Sequence, residues 1–102
     1  KVAFAYHVEG RVSAVVGTHT HVQTADERVL PGGTAAITDA GMCGPEGSVI
    51  GMDRDIVLGR FHTGLPARFE VGGGPGVISG VVVRVQRDTG RAEAIERVRF
   101  GS

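Results

Sequence analysis

Apolar residues fall along this chain in short, dense clusters separated by glycine-rich or polar breaks, and each cluster predicts an element. Val2-Ala3-Phe4-Ala5-Tyr6-His7-Val8 is compact and apolar and stops at Gly10, which suits a helix closed by a left-handed glycine. Ser13-Ala14-Val15-Val16 is the kind of short apolar run that is buried on both faces of a layered sheet. Arg28-Val29-Leu30 and Thr34-Ala35-Ala36-Ile37-Thr38 flank Pro31-Gly32-Gly33, whose backbone preferences predict a β-hairpin. Asp39 to Pro45 is punctuated by glycine and predicts a loop. Asp53 to Phe61 predicts a short helix with Asp53 or Ser48 near its cap and a packing face of Ile56, Val57 and Phe61.

The last third predicts β structure. Gly72-Gly73-Gly74-Pro75-Gly76 cannot hold a regular element and, with no helix pattern after it, is a turn rather than a phosphate cradle. Val77 to Val85 predicts a long strand and Asp88-Thr89-Gly90 a turn. Ala92 to Phe100 mixes apolar with charged positions as a half-exposed antiparallel strand does, so Glu93, Glu96, Arg97 and Arg99 are expected on a solvated face. No repeat or linker divides the chain, and residues 1–102 are expected to be one unit.

Composition narrows the picture without supplying a function. The 102 residues carry 11 basic and 11 acidic side chains, and the only lysine is Lys1, so no basic stripe predicts affinity for duplex nucleic acid. No stretch approaches the roughly 18 apolar residues that would predict a membrane span. The single cysteine, Cys43, rules out a disulfide within the chain and suits a reducing compartment, so a cytoplasmic location is expected. The first helix has no capping residue before it and the chain does not start with Met. Both facts lead to the expectation that this is the C-terminal part of something longer, although an artificial boundary would look the same.

Thr18-His19-Thr20-His21 carries the strongest chemical signal. Two imidazoles at i and i+2, on a chain that leaves a buried strand through a glycine and whose successive extended residues point opposite ways, can serve two ions or two sides of one. The carboxyl end of a strand is also where α/β proteins collect their ligands. The plain alternative is a loop in which each ring bonds to a nearby carbonyl or to water. Asp39, which ends the hairpin, is placed either to hold a ligand imidazole by its second nitrogen or simply to cap a turn. His7 and His62 sit on or at the end of predicted helices, and Cys43 has no base beside it in sequence, so the three are weaker candidates for ligand or nucleophile.

Several linked motifs resemble a known family. Val15-Val16-Gly17-Thr18-His19-Thr20-His21-Val22-Gln23-Thr24-Ala25-Asp26-Glu27, then Leu30-Pro31-Gly32-Gly33-Thr34, Ile37-Thr38-Asp39-Ala40-Gly41-Met42, Ser48-Val49-Ile50-Gly51-Met52 and Arg60-Phe61-His62-Thr63-Gly64-Leu65-Pro66 occur in order. The stretch from Phe69-Glu70-Val71 to the closing strands follows the same pattern, so the likeness covers nearly the whole chain. It resembles the C-terminal half of bacterial calcineurin-like metallophosphoesterases of the 2′,3′-cyclic-nucleotide phosphodiesterase type.

The resemblance implies an α/β fold, part of a layered α/β/β/α sandwich with mixed sheets, in which residues 1–102 are the C-terminal part of a single domain. It implies a binuclear metal centre, typically of iron or manganese, with His19 and His21 each on a different ion. It places the other ligands and the catalytic histidine upstream, outside this chain; His7 stands where relatives have an aromatic residue. The substrate implied is a small phosphodiester or cyclic nucleotide, and the partner is the rest of the domain, with a homo-oligomer also allowed. A second expectation of another class is a non-catalytic fragment or interaction module that keeps the scaffold only.

Overall fold

The computed structural model describes residues 1–101. Helix α1 spans Val2–His7 and is followed by strands β1 (Ala14–Val16), β2 (Arg28–Val29), β3 (Ala35–Ile37) and β4 (Gly44–Pro45); helix α2 (Arg54–Thr63) leads to the long strands β5 (Gly76–Val85) and β6 (Ala92–Gly101). They form two three-stranded sheets, β1-β3-β2 and β4-β5-β6. The first is mixed, because β3 runs parallel to β1 and antiparallel to β2. The second is wholly antiparallel among the described residues. Among the described residues no helix is long and apolar enough to cross a membrane.

Strand β3 is the axis of the first sheet. Its small apolar residues Ala35, Ala36 and Ile37 are all buried, and Ala36 joins Ala5 of α1 and Leu30 in the core, with Val15 packed against them. Each end of β3 carries a fully buried polar residue. Thr34 accepts the Gly10 N–H (2.9 Å) and donates to the Val12 carbonyl (2.7 Å), fixing the loop that enters β1. Asp39, at the other end, fixes the loop that leaves it. Burying these polar groups is tolerated because each is hydrogen-bonded.

The hairpin over Pro31-Gly32-Gly33 forms as expected. The Gly33 N–H reaches the Leu30 carbonyl and the Leu30 N–H that of Thr34, with Gly33 at φ +90°, the bulge position that glycine fills. A second turn, Gln86 to Arg91, closes the β5–β6 ribbon and is fastened to the first. The Arg91 guanidinium donates to the Pro31 and Gly32 carbonyls, the Ala92 N–H to that of Gly33, and Ser13 Oγ to that of Gly90. At the other end of β1, the Gln23 amide donates to the carbonyls of Ala40, Gly80 and Val98. The ribbon therefore braces the first sheet at both ends.

Four expectations need correcting. Helix α1 ends at His7, capped by Val8 at φ −100°, and left-handed Gly10 lies two residues beyond that cap. Strand β1 is not buried on both faces: Val16 is 44% exposed and lines the open cavity beside α1. Gly44–Pro45, expected as loop, pairs with β5. Helix α2 buries only Val57, while Phe61, one turn further on the same face, is 80% exposed. The helix therefore leaves the body after its first turn. Its ends do obey local rules: the Asp53 side chain accepts from the Ile56 N–H (3.0 Å), and Gly64 at φ +70° closes the C-terminus.

Glu93, Glu96, Arg97 and Arg99 are all exposed, as expected, and the two arginines form ion pairs. Arg97 pairs with Glu27 at 3.1 Å and Arg99 with Glu46 at 2.5 Å, tying β6 to the segment before β2 and to the residue after β4.

Candidate metal-binding cleft

The turn out of β1 is tight. Gly17 donates to the Ile37 carbonyl and accepts from the Ala40 N–H, and a Cβ at this position would lie 1.9 Å from the Thr38 carbonyl oxygen. Only glycine lets the two backbones approach this closely. The chain then enters Thr18-His19-Thr20-His21 with both histidines at positive φ, +122° for His19 and +68° for His21. Such values are uncommon outside glycine, and they aim two exposed imidazoles in directions a regular strand would not allow.

Asp39 holds this loop. Its Oδ2 accepts both the backbone N–H (2.7 Å) and the hydroxyl (2.8 Å) of Thr20, and Oδ1 accepts the Gly41 N–H (2.9 Å). Lys1 Nζ lies 3.6 Å away and also donates to the Thr18 carbonyl. Burial raises the pKa of Asp39, but the hydrogen bonds from Gly41 and Thr20 and the charge of Lys1 outweigh it and hold the group down at about 2. Of the two roles expected for Asp39, the turn cap is the one its hydrogen bonds form, through the Gly41 N–H. The carboxylate bonds to no imidazole; it grips the residue between the two, and it closes a turn through Gly41 as well. A second carboxylate, Asp26, is pulled to about 2 by hydrogen bonds from the Thr24 and Thr38 hydroxyls, with a further one from the Thr38 N–H, and locks the same corner.

His21 is the better fixed of the pair. Its Nδ1 lies 2.8 Å from the Ile50 carbonyl oxygen. A carbonyl only accepts, so this contact calls for a proton on Nδ1. His19 and His21 line a cleft of about 480 Å³ with Met42, Cys43, Ile50 and Met52. Lone-pair imidazole nitrogens in a partly apolar cleft suit iron, manganese or zinc. They supply part of a coordination shell only: among the described residues no group of three or more His, Cys, Asp or Glu side chains is placed to hold a metal ion.

The other sequence candidates stay apart from the cleft or play a small part in it. His7 and His62 are exposed in the last turns of α1 and α2. Cys43 does reach the cleft, where its thiol lies 3.7 Å from the Ser79 carbonyl as a weak donor. Ile50 is the participant that sequence reasoning missed. The signal for it was Gly51, which marks a turn, but nothing in the residue types shows that the turn faces His21.

Comparison with known proteins places the chain. A family model described as YmdB-like protein matches residues 1–98. The chain is 54% identical over 98 residues to the 2′,3′-cyclic-nucleotide 2′-phosphodiesterase of Bacillus subtilis strain 168, covering 96% of this chain and 37% of that protein. A crystal structure described as a novel phosphatase from Mycoplasma pneumoniae superposes with a TM-score of 0.91 at 40% identity, over 98% of this chain and 36% of that one. A hypothetical protein from Thermus thermophilus superposes with a TM-score of 0.90 at 40% identity, over 99% of this chain and 39% of that one. The chain thus spans little more than a third of the length of these relatives.

Proposed function

The chain belongs to the YmdB-like family, and from that membership we propose that the complete protein is a metal-dependent phosphodiesterase acting on 2′,3′-cyclic nucleotides. Residues 1–102 are the C-terminal part of its single layered domain, and the ligands and the catalytic histidine that complete the site lie in the part of the relatives this chain does not span. His19 and His21 hold the metal, one imidazole to each ion of an iron or manganese pair. Such a pair, when bound, lowers the pKa of water and offsets charge on the phosphodiester.

The observation that carries this reading is the paired, left-handed His19 and His21 at one cleft, with the His21 Nδ1 held 2.8 Å from the Ile50 carbonyl oxygen. What the chain's own residues do is positional. Asp39 fixes Thr20, Thr20 fixes the spacing of its two neighbours, and Ile50 fixes one ring. The lack of a basic stripe favours a small diester over a long nucleic acid, which would need clustered Lys and Arg along its phosphates.

A second reading, a scaffold or interaction module without chemistry, is favoured by one fact: the chain alone places no three ligand side chains together among the described residues. The test is made in the complete protein. His19→Ala and His21→Ala are each expected to lose bound metal by elemental analysis and turnover of 2′,3′-cyclic mononucleotides, with manganese or iron supplied. Metal content and turnover like those of the parent in both variants would reject the assignment. Preference for duplex or single-stranded polymers would reject the substrate class.

A further inference from the structure

Val49 and Met52 exchange two backbone hydrogen bonds, each of 2.9 Å, across Ile50 and Gly51. Both central residues have positive φ, +47° and +98°, which marks a type I′ turn. Glycine suits that geometry. Isoleucine does not, since its branched Cβ crowds the backbone there and Asn, Asp or Gly is the usual occupant. Nor is the strain offset by burying the side chain, because Ile50 is 54% exposed.

The turn is held from several sides, as a strained conformation must be. The Gly51 N–H goes to Ser48 Oγ (2.9 Å), and its carbonyl takes the Gly72 N–H (2.9 Å). Ser48 Oγ in turn donates to the Pro45 carbonyl (2.6 Å). Met52 is bridged to Val71. Among the described residues, the one group of Ile50 with a hydrogen-bond partner is its carbonyl oxygen, 2.8 Å from His21 Nδ1.

We infer that the Ile50–Gly51 turn is the positioning device for His21: the Ile50 carbonyl takes the Nδ1 proton, fixes the Nδ1–H tautomer and leaves Nε2 as the ligand atom. The inference rests on the reading of His21 as a metal ligand. A ligand imidazole that donates its other N–H is both oriented and made more basic, and removing such a partner typically weakens metal binding. Here the partner is main chain, so its aim depends on the turn and not on a side chain.

The test uses the complete protein freed of metal by chelation and labelled with ¹⁵N-histidine. At pH 8 the ring nitrogen shifts of His21 are expected to show a protonated Nδ1 and a bare Nε2. An Nε2–H tautomer overturns the inference, whether or not His21 binds metal. Two substitutions add a second measurement, manganese affinity by calorimetry. Ile50→Asn accepts positive φ and keeps the carbonyl in place, so affinity is expected within about twofold of the parent, whereas Ile50→Pro cannot adopt that φ and is expected to bind about 10–100-fold more weakly. A folded Ile50→Pro protein with parental affinity, or a weakened Ile50→Asn protein, overturns it. If Ile50→Pro fails to fold, the tautomer measurement decides. Should His21→Ala keep its metal, the ligand reading fails instead, and the His21 tautomer still reports on the carbonyl contact.

Discussion

At the scale of single residues, the decisive contact of the cleft is made by a side chain that touches neither histidine. Asp39 grips Thr20 twice and Gly41 once from a fully buried position, so it sets where the His19 and His21 backbones sit. In the complete metal-free protein, Asp39→Ala is expected to cost about 2 kcal/mol, since charged hydrogen bonds are lost while the exposed Thr20 regains water. Asp39→Asn keeps an acceptor and is expected to lose less. The folded pKa of about 2 lies below the ordinary 3.8, so the stabilisation is fully present above pH 4 and disappears as pH falls from there through about 2. Denaturant midpoints at pH 6, 4 and 2.5 check this; an acid slope as steep in Asp39→Asn as in the parent would refute it. Sequence reasoning singled out His19, His21 and Asp39 because these residue types announce themselves. It could not assign Asp39 its partner or see Ile50, because one depends on three-dimensional register and the other on a carbonyl that every residue has.

At the scale of elements, what was legible followed local chemistry and what was not depended on neighbours. The hairpin at Pro31-Gly32-Gly33, the cap at Asp53 and the ribbon strands could be read directly, since turn residues, caps and dense valine runs carry their meaning within a few positions. The packing face of α2 and the pairing of Gly44–Pro45 could not, because each is fixed by what lies opposite in space. The junction of β1 with the histidine loop tests how tightly elements are coupled. Gly17→Ala would press a methyl group into the Thr38 carbonyl, so β1 must separate from the end of β3. The expected cost is about 3 kcal/mol, at the upper end for overpacking, with loss of metal affinity because the loop moves with the strand. Thermal melting with metal titration checks both parts; an alanine variant as stable and as tightly binding as the parent would contradict the close approach.

At the scale of the whole molecule, the described chain leaves many large apolar side chains exposed. A cavity of about 360 Å³ between α1 and the first sheet is lined by Val2, Phe4, Val15 and Val16, and β1 has an open edge beside it. Phe61, Leu65, Ile78 and Phe100 are each at least 59% exposed. Residues 1–102 produced alone are therefore expected to self-associate or bind a partner. Sedimentation and thermal melting check this, and a monomer with a single cooperative transition would contradict it. The fastening of the second turn to the first has a different, practical consequence. A hairpin tip is ordinarily the safest place to insert a tag, a fluorophore site or a new chain end. Here the tip at Gln86 to Arg91 is a seam, stitched to Ser13 and to the Pro31-Gly32-Gly33 turn. An insertion there would pry the ribbon off the sheet. The open ground for engineering is the exposed Pro66-Ala67-Arg68 stretch after α2, which lies in no strand or helix and lines no part of the histidine cleft.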